Sequence, residues 1–119
     1  MYEVVFYTTE REDSPIDEFL DGLNVKTRAK VEAHIELLEE YGPNLKRPYA
    51  DTVRGKIREL RIPYSSNQYR ILYFFFMRDQ IILTHALMKK TQELKEKDIV
   101  LAEKRMEDWI QRNPSGGKK

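Results

Sequence analysis

In the stretch ELRIPYSSNQYRILYFFF, residues 59–76, an arginine stands on each side of a turn, Arg61 before it and Arg70 after it. A serine or threonine would keep a hairpin end soluble, so two guanidiniums there need another reason. Each is a planar fork of donors matched to phosphate oxygens, and a pair of them makes a seat for an anion. Lys89 and Lys90 close the next apolar segment, which also holds His85. Ahead of the hairpin come Lys46, Arg47, Arg54, Lys56 and Arg58. Any one of those five reads as a solvated surface charge; their concentration is what marks a surface for a polyanion.

Other chemistries find little to work with. Cysteine is absent, which excludes thiolate catalysis and a disulfide framework. His34 and His85 lie 51 positions apart and no carboxylates cluster near the basic end, so neither a metal site nor a cofactor is expected. A glycine-rich phosphate loop and a nucleophile-elbow serine are both missing. His34 falls on the apolar side of a helix and reads as structural. Tyr49, Tyr64 and Tyr69 could stack a base or supply a proton, and the sequence does not choose among them.

The net charge of +1 hides an asymmetry: residues 1–45 hold 4 basic and 11 acidic side chains, residues 46–119 hold 17 and 9. A polyanion is therefore sought on the second half. A length of 119 residues fits one domain, here 1–112, with NPSGGKK at 113–119 expected to be a disordered tail. At 40% hydrophobic and 34% charged, the chain has a globular composition. Its longest apolar run, residues 71–77, falls far short of the ~20 residues that cross a bilayer. MYEVVFYTTE lacks the basic start and apolar stretch of a secretory signal, so a cytoplasmic location without membrane contact is expected.

The elements that must position these residues can be read in order. YEVVFYT, residues 2–8, is β-branched and aromatic and predicts a strand. Ser14-Pro15 caps and opens a helix with Ile16, Phe19, Leu20 and Leu23 at helical spacing. Asn24 caps a second, whose stripe is Val31, Ile35 and Leu38 and which Gly42-Pro43 ends. Residues 44–55 read as a loop, and strands follow over 56–62, 69–77 and 80–88. A last helix over 97–111 carries Ile99, Ala102, Met106, Trp109 and Ile110 on one side. The order β-α-α-β-β-β-α predicts an α+β fold, a mainly antiparallel sheet backed by helices.

Strand parity then groups the candidates. If Leu60 and Ile62 face the helix-covered core, so do Ile71, Tyr73 and Phe75, and Glu59 and Arg61 share the other face with Arg70, Leu72 and Phe74. Arg61 and Arg70 fall opposite each other, where two cations repel. Either Glu59 relieves them or the pair holds an anion. In a three-strand meander Lys89 and Lys90 return to the same end of the sheet. The face of His85 stays open, because Leu83 and Leu87 flank it on one alternation and Ile82, Ala86 and Met88 line the other.

ELRIPYSSNQYRILYFF, an apolar strand, and the continuation KKTQELKEKDIVLAEKRMEDW together resemble the HigB branch of the RelE/ParE toxin superfamily, including its phage-derived members. ELR, YRILY and KKTQ are weak singly and specific in this order. The resemblance spans most of the chain. It implies a RelE-like fold and a toxin that is a ribosome-dependent, metal-independent endoribonuclease cleaving translated mRNA. It also implies neutralisation by a HigA-type helix-turn-helix antitoxin, with operator DNA bound only through the toxin–antitoxin complex. The family arginine falls on Arg70, and its basic residues at the end of the last strand fall on Lys89 and Lys90. Where some relatives carry paired lysines this chain has Lys56 and Arg58, which parity sends away from Arg61.

Cleavage of that kind uses the 2′-hydroxyl as nucleophile and needs a base, an acid and cations around the crowded phosphate. Arg61 and Arg70 suit the electrostatic part. Lys89 or Lys90 could act as a base only if like charges lower its ordinary pKa of ~10.4, and His85 is the one imidazole placed for proton transfer. Two alternatives use the same scaffold: a ParE-like toxin that binds a protein target such as DNA gyrase, and a phage remnant that only binds.

Overall fold

The computed structural model describes residues 1–91 and 93–114; residues 115–119 of the expected tail and Gln92 of the KKTQ motif lie outside the described residues. Strand β1 (Glu3–Phe6) leads to helices α1 (Pro15–Asp21) and α2 (Val25–Tyr41). Strands β2 (Ala50–Arg54), β3 (Ile57–Tyr64), β4 (Asn67–Phe76) and β5 (Gln80–Lys89) follow, then helix α3 (Glu96–Arg112). Ser14 Oγ accepts from the Asp17 N–H at 3.4 Å and Asn24 Oδ1 from the Thr27 N–H at 2.8 Å. Each satisfies a first-turn donor that has no partner within its helix. α2 stops at Gly42, whose φ of 51° and ψ of −126° only glycine adopts readily. A Cβ there would lie 2.3 Å from the Tyr2 ring, so this glycine also lets the start of the chain pack on the helix end.

One mixed sheet has the order β1-β5-β4-β3-β2, with β1 parallel to β5 and the remaining pairs antiparallel. The α+β class is as expected, with one strand more. β2 lies inside the segment expected to be a loop and pairs with β3 from Ala50↔Leu60 to Arg54↔Ile57. Its sequence, ADTVR, buries only Ala50 and carries two charges. Such a short, charged composition reads as loop, yet it is how sheet edges avoid pairing with other chains.

Side-chain alternation divides the core into two layers. Leu60, Ile62, Ile71, Tyr73, Ile81 and Leu83 pack with Ile16 and Leu20 of α1 and Val31, Ile35 and Leu38 of α2. On the opposite face Ile57, Leu72, Phe74, Phe76 and Ile82 pack with Ala102 of α3, and Met106 and Trp109 lie at the margin. β4, in the middle of the sheet, is covered on both sides, which is why residues 71–76 show no polar alternation, whereas Met77, expected in the strand, lies beyond it and is exposed. Ile110, expected on one side of α3 with Ile99, Ala102, Met106 and Trp109, is exposed. α3 runs obliquely across its face: Arg54 on β2 reaches Glu96 and Glu103 at 2.9 Å, and the other end of the helix meets Tyr7 and Thr8 beyond β1. Among the described residues no helix is long and apolar enough to cross a membrane.

Candidate functional site

The register of β3 with β4 sets Arg61 directly opposite Arg70, and that of β4 with β5 sets Arg70 opposite Leu87. Gln68 faces Lys89, and Leu72 lies between Glu59 and His85. Opposed residues share a face, so Glu59, Arg61, Arg70, His85, Leu87 and Lys89 all stand on the α3 side of the sheet.

His85 reaches this face through a bulge. Leu72 pairs with His85 but Tyr73 pairs with Leu83, leaving Thr84 over. Alternation therefore reverses at Thr84, and Ile82 and His85 share the α3 face while Leu83 and Ala86 share the other. Thr84 Oγ1 donates to Leu72 O at 2.9 Å, and Arg105 Nη1 of α3 donates to Thr84 O at 2.8 Å, pinning the bulge from both sides.

The two arginines expected to seat an anion differ in exposure. Arg61 is 24% exposed and Arg70 0%, because Arg70 stands on the middle strand with β3 and β5 on either side. Arg70 Nε lies 3.2 Å from Glu59 Oε1, Arg61 Nε lies 3.9 Å from Glu59 Oε2, and Glu59 itself is 12% exposed. The carboxylate thus relieves the opposed cations while Arg61 keeps open surface. Burial pushes the Glu59 carboxyl up from its ordinary range, against the pull of Arg70 and then Arg61. The same burial pushes the Arg70 guanidinium down, with Glu59 opposing it.

Lys89 is buried, whereas Lys90 turns to the other face and its Nζ donates to Asn67 Oδ1 at 2.7 Å. His85 Nε2 lies 2.9 Å from Asp98 Oδ1 in the first turn of α3, both side chains 15% exposed. That contact occupies Nε2 and leaves Nδ1 as the ring nitrogen not engaged by Asp98. Between the end of β5 and the start of α3 opens a cleft of about 430 Å³ lined by Lys89, Lys90, Lys95 and Lys97. Leu87 and Asp98 line it too, which joins it to the ladder neighbour of Arg70 and to the partner of His85.

The five outlying cations are dispersed. Arg47 bridges Asp51 at 2.7 Å, and Arg54 is held by Glu96 and Glu103. Arg58 stands opposite Tyr73 on the α1/α2 face, as parity requires, donating to Thr52 Oγ1 at 3.0 Å and Leu45 O at 3.3 Å. Lys46 and Lys56 are exposed. Tyr69 is buried; Tyr49 is exposed beside the His34 ring, whose Nδ1 lies 3.0 Å from Lys30 O. Sequence reasoning passed over Asp98, Lys95 and Lys97, whose approach to His85 and Lys89 depends on how α3 folds back and leaves no spacing signal.

Residues 18–107 match the family model described as "Phage derived protein Gp49-like (DUF891)". The chain is 43% identical over 77 residues to "Putative toxin HigB2" of Mycobacterium tuberculosis (strain ATCC 25618 / H37Rv), an alignment covering 60% of this chain and 38% of that protein. The chain thus spans well under half the length of that relative. The family match takes in every residue of the row from Glu59 to Lys89 and most of α3, and the chain belongs to the Gp49-like family of phage-derived proteins.

Proposed function

We propose that this protein is the toxin of a toxin–antitoxin pair, that its sheet and helices are a RelE-like fold, and that it cuts translated mRNA on the ribosome without a metal. One observation carries the reading: Arg61, Arg70, Lys89 and His85 stand on one face around Glu59. Membership of the Gp49-like family and likeness to a protein named as a toxin support it.

In the cleavage step the 2′-oxygen bonds to phosphorus and gives its proton to a base, while the 5′-oxygen leaves and takes a proton from an acid. The products are a 2′,3′-cyclic phosphate and a free 5′-hydroxyl. Arg61, with its open surface, meets the phosphate oxygens. Arg70 lies beneath, adding positive potential where water is excluded and holding Glu59 in place. His85, oriented through Nε2 by Asp98, exchanges the proton at Nδ1. Lys89, on the same face, adds positive charge between this row and the cleft. A HigA-type helix-turn-helix antitoxin neutralises the protein, and the complex of the two binds the operator.

The test is induction of the wild-type chain and of Arg61→Ala in growing cells, with mapping of new RNA 5′ ends. Wild type is expected to stop growth and cut messages within translated frames. Losing one electrostatic donor to the transition state costs roughly 10²–10³ in rate, so Arg61→Ala should spare both while still folding. Broken DNA with intact messages would overturn the reading and place the protein among toxins that act on a protein target such as DNA gyrase.

A further inference from the structure

We propose that the cleft between β5 and α3 is a subsite for one nucleotide of single-stranded RNA next to the cleaved bond. This rests on the ribonuclease reading for its place in the reaction, though not for its chemistry. Its volume, about 430 Å³, lies within the range of roughly 300–1,000 Å³ typical of small-ligand sites. Four lysines line it; Lys89 is buried and Lys90 bonds Asn67 through Nζ, so Lys95 and Lys97 are the exposed ammoniums that face an incoming strand. An ammonium on a flexible stem meets a backbone phosphate as a point charge and reads no base, which suits a strand of any sequence.

The apolar part of the wall on the Arg70 face is Leu87, partly exposed. An apolar side chain beside phosphate-seeking lysines gives a nucleobase a surface to lie on. Continuity with the Arg61 row argues for RNA over an acidic protein segment. Leu87 is the ladder neighbour of Arg70, and Asp98 is the residue that orients His85. A strand whose phosphate sits at Arg61 therefore has its next nucleotide at the mouth of the cleft.

The experiment measures fluorescence anisotropy of a labelled, 2′-O-methylated RNA octamer with the full chain and with Lys95→Gln/Lys97→Gln, over a range of salt concentrations. Lys95 and Lys97 are exposed at the start of α3, where removing positive charge agrees with the helix dipole, so the variant keeps its fold and a thermal melt confirms it. Each phosphate contact on a single strand contributes roughly 0.7 to the slope of log K against log salt, so losing the two lysines that hold the one phosphate of this nucleotide should flatten it by about 0.7 and weaken binding. If the variant binds the octamer with wild-type strength and slope while the wild type cuts message, the subsite is refuted and the ribonuclease reading stands. If the slope flattens but the wild type cuts no message in cells, the ribonuclease reading fails and the cleft remains an RNA seat. If the two lysines matter for a glutamate-rich peptide and not for the octamer, the cleft belongs to a protein partner and the proposal is overturned.

Discussion

Replacing Glu59 by glutamine should unsettle the whole protein, although the change is a single atom type on a strand. Glu59 Oε1 stands 3.2 Å from Arg70 Nε, and Arg70 has no exposed surface. At an effective dielectric of about 20 two unit charges at that separation attract by about 5 kcal/mol before desolvation is counted. Desolvation is large here, since burial drives both groups toward their neutral forms. The intact pair is therefore worth far less than 5 kcal/mol, yet removing one half takes away the carboxylate that lies beside a fully buried guanidinium. That situation costs about 3–5 kcal/mol, a large part of the ~5–15 kcal/mol that holds a domain together. With an unfolding entropy near 2.1 cal/mol/K per residue over 119 residues, Tm should fall by about 12–20 °C. Urea unfolding at pH 8 reads the loss directly. Arg70→Met combined with Glu59→Gln should be more stable than the sum of the single changes predicts, because the pair is then replaced as a unit. A Glu59→Gln protein within 0.5 kcal/mol of wild type, or a cycle with no coupling, would refute the reasoning.

Asp108 gives stability a pH dependence of definite sign. Its carboxyl is held down by Arg112 and then Tyr7, so its contribution is present above the unfolded value of ~3.9 and is lost as pH falls through the folded one; Asp108→Asn should flatten the acid side of a stability–pH curve. Gly55 has a φ of 55° with nothing near a would-be Cβ, so Gly55→Ala should lose only the ~1–2 kcal/mol of left-handed backbone. Gly42→Ala should lose clearly more by chemical denaturation, because the Tyr2 ring must also move. Asp98→Ala should lose about 1–3 kcal/mol with the half-buried bond to His85, and hydrogen exchange should quicken first at the amides that begin α3.

Much of this arrangement is legible in the chain because period-two alternation is a strict rule where both faces are packed. Leu60 and Ile62 alone suffice to send Arg61 and Arg70 to one face, and the register agrees. The rule fails for His85 because Thr84 is an extra residue, and no bulge announces itself in the run IILTHALMKK. β2 is hidden for a different reason, since an edge strand buries one side chain in five and so carries no pattern to find. The burial of Arg70 is hidden as well: an arginine near a turn reads as exposed until the neighbouring strands and Glu59 are placed round it. Lys95 and Lys97 look like ordinary helix-start charges until α3 brings them beside Lys89.

The parallel pairing of β1 with β5 has a consequence for how the chain comes off the ribosome that makes it. Strands β2 to β5 are joined by tight turns and can pair as they emerge. Glu3 must wait for Gln80, 77 residues later, and Tyr7 for Asp108, 101 residues later. Closing so long a loop is slow compared with zipping hairpins. β1 is thus among the last of these strands to be fixed, and the row from Glu59 to Lys89 acquires its cover only once α3 has been made.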